Sequence, residues 1–398
     1  ALPKGINHAA YVGHSALRTF VMGERAFEEE ASADDLAAMQ AELRSALDAG
    51  AQGFSTSRSS THQTADDRPV ASRIARREEV SALVGTLSGR RGAVFELAHE
   101  ILQPGTPEGD AYWAWLFDLA VETGVATTYG VLGRFAKTQI EFIERVQAAG
   151  GRMFGQTHSR GVSGVMSFRT AMPFDSQPVW REFREKPLEA QLAGLRDPAT
   201  RAALAEAAGN AQYFVPVGPG SRPPDWDEFY YYDQPLPPLR SLAEIARQRG
   251  VEPIEALLDI AAETNLDALF LKYLTRVPDE DAVEVLRHPS SVMTFSDSGA
   301  HVSQIADASI QTHLLAWFVR EQQLLSLPEA IHMMTGRAAH HWGFAGRGQL
   351  AQGYAADINV IDPATVGPQM PEVVHDLPTG ARRYSQRANG IKATIVGG

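Results

Sequence analysis

Two short stretches hold the side chains best suited to chemistry. In Thr294-Phe-Ser-Asp-Ser-Gly-Ala-His-Val302, a β-prone run (Ser291-Val-Met-Thr-Phe295) delivers Asp297 to a glycine-containing turn, with His301 four residues on. An acid at the exit of a buried strand, followed by glycine and a second titratable group, is how α/β barrels present catalytic groups. The plainer alternative is that Asp297 caps a following helix and His301 packs against it. In Gln156-Thr-His-Ser-Arg160, His158 ends another strand, where barrel sites also lie, and reads as a metal ligand or a substrate contact. Of the other histidines, His62, His288, His313, His332, His340 and His341 fall on expected loops or helices and read as structural. His8 and His14 lie near a strand end, where stabilising a turn is the simpler role for His14. His99 follows a strand without any supporting motif and is left unassigned.

Bulk properties narrow the classes. A chain of 398 residues, 44% hydrophobic and 21% charged, suits a large barrel or two domains with a sizeable core. Net charge is −12, with acids and bases interspersed and no basic run, so neither nucleic acid nor a membrane surface is an expected partner. No apolar stretch approaches the ~20 residues that span a bilayer. Cysteine is absent, which excludes disulfides and thiolate sites and fits a cytoplasmic location.

The elements that must position these residues follow a regular alternation. Strands are expected at Ile6–Val12, Gly53–Ser57, Ala93–Leu97, Val125–Tyr129 and Arg152–Thr157. Between them lie helices after Ser32-Ala-Asp-Asp35, around Glu78–Leu87 and Tyr112–Glu122, and over Thr138–Ala149. The helix after Ser32 carries Leu36, Met39, Leu43 and Leu47 at helical spacing. Such alternation means βα units and a parallel sheet. From about 160 to 238 the rhythm breaks into a Pro-rich excursion with an aromatic knot, Trp226 and Phe229-Tyr-Tyr-Tyr232. It is expected to be a lid-like insertion or an oligomer contact. Ser326-Leu-Pro-Glu329 then caps a further helix, and short strands and turns follow from Gly346.

The tail is the most specific part. Leu327-Pro-Glu-Ala-Ile-His-Met-Met-Thr335 leads into Gly348-Gln-Leu-Ala-Gln-Gly-Tyr-Ala-Ala-Asp-Ile-Asn-Val-Ile-Asp362. That order resembles the end of the amidohydrolase superfamily: a last barrel helix with a Met-Thr step, then a G-x-L-x-x-G-x-x-A-D run entering a β-sandwich. Within it, Gly13-His-Ser-Ala-Leu-Arg18, Ala46-Leu-Asp-Ala-Gly-Ala-Gln-Gly-Phe-Ser-Thr56, Ser296-Asp-Ser-Gly-Ala-His301 and His375-Asp-Leu-Pro-Thr-Gly380 look like landmarks of the N-acyl-D-amino-acid deacylase (D-aminoacylase-like) branch.

The resemblance implies a metal-dependent hydrolase, usually with zinc, that removes an acyl group from N-acylated amino acids, typically of D configuration. It places Asp297 at the acid/base position, where a carboxylate takes the proton of a metal-activated water and passes it to the leaving nitrogen. It makes His301 a candidate donor to the amide oxygen, Arg160 and Ser298 candidates for holding the substrate carboxylate, and His158 a candidate metal ligand. Two departures shape the expectation. The family's metal site begins with His-x-His and often a Cys ligand, and neither occurs here; where many relatives carry a ligand His, this chain reads Thr127-Thr-Tyr129. No Lys lies on Gly53–Ser57, which disfavours a carbamylated-lysine centre. The expected fold is therefore an α/β metallo-dependent hydrolase, a TIM-like (β/α) barrel over residues 1–343 lacking its first strands in this chain. Residues 344–398 are expected to form the C-terminal part of a small β-sandwich domain. The missing strands and remaining ligands would come from another segment or a second chain, and a homo-oligomer is a further expectation. The competing activities are a cyclic-amide hydrolase of hydantoinase type and a degenerate barrel serving as a binding subunit.

Overall fold

The computed structural model describes residues 5–100, 102–210, 223–299, 302–304 and 307–398. Six parallel strands form one sheet: β1 (Tyr11–Gly13), β2 (Gly53–Ser57), β3 (Val94–Ala98), β4 (Ala126–Gly130), β5 (Met153–Thr157) and, after a long excursion, β10 (Ser291–Met293). The order is sequential through β5, which then pairs with β10. All six strands run the same way, so their carboxyl ends lie on one side. Val94-Phe-Glu-Leu-Ala98 is apolar apart from Glu96, which suits a strand covered on both faces.

Local signals place the helices. Ser32 accepts from the Asp35 amide while the Asp35 carboxylate accepts from the Ser32 amide, both at 3.1 Å, and helix Ala33–Asp48 starts there. Its buried face, Met39, Leu43 and Leu47, meets Phe54, Phe95 and Leu97 on the outer side of the sheet. Burying one such side chain stabilises by about 1.5–3 kcal/mol, so this stripe holds the helix down. Ser326 and Glu329 form the second reciprocal cap, with Pro328 in the first turn of helix Leu327–Met334. The helix breaks at Thr335, and a second one follows as Gly336–His341. Gly348 packs against this break: its φ of +79° suits glycine, and a Cβ there would sit 2.7 Å from the Thr335 carbonyl oxygen.

The excursion is a packed unit with its own core. Strands β6 (Val162–Met166), β7 (Phe229–Tyr231), β8 (Arg240–Ser241) and β9 (Phe270–Thr275) form a second sheet in the order β6-β9-β7-β8. Because β6 pairs with β9, this unit takes in residues beyond the expected boundary at 238. The aromatic knot packs inward: Trp226 stacks on Phe229 at 5.9 Å, and Phe229 lies edge-on to Phe270 at 6.0 Å. Residues 211–222 of this expected insertion lie outside the described residues.

The C-terminal segment forms antiparallel pairs, Ile358–Ile361 with Ile391–Ile395, Gly367–Pro368 with Ala388–Asn389, and Glu372–Val374 with Arg383–Ser385. Asp357 of the Ala-Asp motif ties this segment together: it pairs with Arg347 and accepts from Asn7 Nδ2 and the Gly397 amide, each at 3.0 Å.

Candidate active site

The inner face of the six-stranded sheet carries an apolar cluster of Val94, Ala126, Phe154 and Val292 together with a row of polar side chains. In register, Ser55, Glu96 and Thr128 stand side by side, with Ser57, Ala98, Gly130 and Gln156 two residues further along. Gln156 Nε2 donates to Glu96 Oε1 at 2.9 Å, and Thr294 Oγ1 donates to Gln156 Oε1 at 3.4 Å. These bonds link β3, β5 and the exit of β10. Burial pushes the Glu96 carboxyl up, and the charge of Asp297 adds to that push. Thr128 Oγ1 is buried beside it without a hydrogen-bond partner, and the Tyr11 hydroxyl faces the Glu96 carboxyl.

Asp297 leaves β10 on the carboxyl side of the sheet, which extends one bond further through the Phe295 amide to the Thr157 carbonyl at 3.0 Å. Its backbone is left-handed, with φ of +52°, and the residue is exposed. Asp tolerates this region better than most side chains, and strain of this kind gathers at functional turns. Among the described residues the next helical turn begins only at Asp307, so Asp297 caps no helix there. Ser298 is half-buried, its hydroxyl 3.2 Å from that of Ser296. His301 lies outside the described residues.

His158 and Arg160 follow β5. The His158 ring lies 6.1 Å from that of Phe295, two residues before Asp297. Burial, helped by the Arg160 charge, pushes its imidazole down to about 3, so it is neutral at ordinary pH. Its Nδ1 is buried without a hydrogen-bond partner. Arg160 is also buried: Nη1 donates to Ser309 Oγ at 2.9 Å, and Nε lies 3.7 Å from Asp307 Oδ1. Asp307 is pushed up to about 7, chiefly by burial, with Arg160 opposing and Asp297 reinforcing the shift. Asp297 thus stands electrostatically between two carboxyls, Glu96 and Asp307, that sequence reasoning missed. The available signal for Glu96 was an acid inside an otherwise apolar strand; Asp307 carried none.

A narrow cleft of about 50 Å³ borders His158, Arg160, Tyr273, Arg276 and His313. His313, expected to be structural, is fully withdrawn from water here. Its Nδ1 lies 3.3 Å from Ser159 Oγ, and a π-helical turn, Leu314–Glu321, follows it. Two other histidines are structural. His14 accepts from Thr56 Oγ1 and donates to Glu79 Oε1, both at 2.8 Å, and Arg18 closes on Glu79 Oε2 at 2.5 Å. His99 donates through Nδ1 to the Glu100 carbonyl and accepts from Gln139, both at 3.0 Å.

A neutral, buried His158 with an unused ring nitrogen fits a metal ligand. The rest of a centre is not assembled: among the described residues no three His, Cys, Asp or Glu side chains come together as a metal site. The inner position of β4 carries the Thr128 hydroxyl rather than an imidazole.

The parallel sheet presents an acid at the exit of its last strand, as α/β barrels present catalytic groups. The sequence profile of the Amidohydrolase family matches residues 1–398, and the chain belongs to that family, whose reaction is hydrolysis of C–N amide bonds. Among its relatives is an N-acyl-D-aspartate deacylase of Alcaligenes xylosoxydans xylosoxydans, 29% identical over 375 residues, covering 92% of this chain and 61% of that protein. An uncharacterised protein of Mycobacterium tuberculosis is 27% identical over 433 residues, covering all of this chain and 68% of its own length. Among solved structures, the zinc- and phosphonate-bound N-acyl-D-glutamate deacylase of Bordetella bronchiseptica superposes with a TM-score of 0.57 at 21% identity, covering 99% of this chain and 68% of that one. A D-aminoacylase superposes equally, at 0.57 and 22% identity, over 100% of this chain and 68% of its own. No helix among the described residues is long and apolar enough to cross a membrane.

Proposed function

We propose that the full-length protein deacylates N-acyl amino acids of D configuration, with Asp297 as general acid/base. The observation that carries this reading is Asp297 itself, held in a left-handed turn at the exit of β10, beside the strand that ends in His158. Linear amide hydrolysis needs a group that removes a proton from water and returns it to the leaving nitrogen. An exposed carboxylate on a turn constrained by its backbone suits both transfers. Glu96 and Asp307 hold protons more tightly than ordinary carboxyls and so limit repulsion around the Asp297 charge.

On this reading zinc or another divalent metal is the cofactor of the complete enzyme, with His158 its one ligand from the described residues. The substrate is a small molecule whose carboxylate meets Arg160 and Ser298, with His301 reaching the amide oxygen. Arg160 lines the cleft but already has Ser309 and Asp307, so its first effect is to order the segment beneath the substrate. Among the described residues β1 and β10 each have one partner strand, which supports a barrel over residues 1–343 completed by strands from another segment or a second chain. Residues 344–398 then belong to the β-sandwich. A cytoplasmic location and a homo-oligomeric state are parts of the same proposal.

The test is hydrolysis by the full-length protein of N-acetyl-D-amino acids, their L enantiomers and 5-substituted hydantoins. Release of acetate from the D substrates, abolished in D297N, is the expected result. Turnover of hydantoins alone would overturn the proposal in favour of a cyclic-amide hydrolase, and turnover of neither in favour of a binding subunit.

A further inference from the structure

A second cleft, of about 440 Å³, lies away from the sheet, between the excursion and the C-terminal segment that carries the His375-Asp-Leu-Pro-Thr-Gly380 motif. Nothing in the proposed reaction uses it. Arg169, Arg181, Arg184, Arg382 and His375 line it, against the carboxyls of Asp175 and Glu185. Such a concentration of cations stands out in a chain whose net charge is −12.

The local pairing leaves positive charge over. Arg169 is satisfied outside the cleft by Asp267 Oδ1 at 2.5 Å. Arg184 is held deep in the wall by Asp175 Oδ1 at 3.2 Å and Gln191 Oε1 at 3.0 Å. Its side chain is only 9% exposed, so it is fixed in place. The other two are different. Arg181 donates to the Ser176 carbonyl at 3.1 Å, and Arg382 to the Thr170 carbonyl at 2.8 Å; among the described residues neither has an ion-pair partner. Each guanidinium has five N–H donors, so most of their capacity remains for a ligand. Electrostatics agree: burial pushes the Asp175 carboxyl up, so its negative charge is held less firmly, and burial pushes Arg184 down, with the charge of Arg382 adding to that push. The Asp175 shift comes from burial and is opposed by the charges of Arg184 and Arg382, whereas the push of Arg382 on Arg184 is that of two cations held close together. Guanidinium forks match the paired oxygens of phosphates and carboxylates.

We propose that this cleft binds a compact dianion, a phosphate group or a small dicarboxylate, between Arg181 and Arg382 with Arg184 as its floor. The ligand joins the excursion to the C-terminal segment. The site does not depend on the amide-hydrolase reading, because its readout is binding.

Isothermal titration of the full-length protein with inorganic phosphate, with malonate and with acetate tests this. Phosphate or malonate should bind in the millimolar range or better, acetate at least about tenfold more weakly, and which dianion binds more tightly identifies the source. R181Q and R382Q should each weaken binding by about tenfold, the scale of one charge-assisted hydrogen bond. Both arginines are exposed, so melting temperatures of these variants should match the parent. The proposal fails if neither dianion binds at up to about 10 mM, ten times a millimolar constant. It also fails if the double variant binds as tightly as the parent, or if acetate binds as well as the dianions.

Discussion

Replacing Asp297 by Asn removes a proton carrier and almost nothing else. The side chain keeps its shape, and Asn tolerates the left-handed region as Asp does, so the φ of +52° is accommodated without new strain. Asp297 is exposed, and an exposed substitution of this kind changes stability by about 0.5 kcal/mol or less. Activity should behave differently. A positioned general acid/base contributes about 10²–10⁴-fold to rate, which is roughly 2.7–5.4 kcal/mol of barrier. Asp297→Val supplies the conformational control, since a β-branched residue at this φ costs about 1–2 kcal/mol in stability. The assay is kcat/KM of the full-length protein on an N-acetyl-D-amino acid, with thermal unfolding measured on the same samples. D297N should lose at least about a hundredfold in kcat/KM at an unchanged Tm, and D297V should lose both. Activity within about threefold of the parent in D297N, a tenth of a typical general-base effect or less, would refute the acid/base role. A D297N that melts early, like D297V, would show that the residue serves the turn rather than the reaction.

Four other perturbations test the site and the frame around it. Glu79→Ala strands the fully buried Arg18 and removes the acceptor of His14, so it should destabilise by about 3–5 kcal/mol, read by urea unfolding. Burial depresses the His14 imidazole below its usual 6.5, and the bonds from His14 and Arg18 hold Glu79 below 4.5 despite its burial. Both shifts are downward, so their stabilising contribution is present above the unfolded values and lost on acidification. Loss begins near pH 6.5 with His14 and deepens below 4.5 with Glu79, and a stability curve flat from pH 7 to 4 would contradict this. Gly53→Ala places a Cβ 1.8 Å from the Val94 carbonyl oxygen, where only backbone can yield, and should cost about 3 kcal/mol or more in thermal unfolding. If His158 is a metal ligand, His158→Ala in the full-length protein should weaken zinc binding by at least about tenfold in equilibrium dialysis; undiminished zinc affinity would remove it from the metal site.

Much of the frame could be read from the chain because it is encoded locally. The capping boxes at Ser32 and Ser326 involve residues three apart, and strand Gly53–Ser57 follows from a short β-prone run after a glycine. The positions of Asp297 and His158 at strand exits follow from the same short-range pattern, and the tail motif marked the family. What faces those residues was decided only by tertiary structure. Whether Glu96 points inward depends on the register of β3 against β2 and β4, and its partner Gln156 lies 60 residues away. Arg160 reads as the start of a loop, yet contact with Ser309, 149 residues on, buries it. That the excursion has its own core follows only from β6 meeting β9 across more than a hundred residues and from its aromatics packing together. Local periodicity sets where a strand or helix forms. Burial, and with it the protonation of a carboxyl or an imidazole, belongs to contacts between segments distant in sequence, which periodicity does not specify.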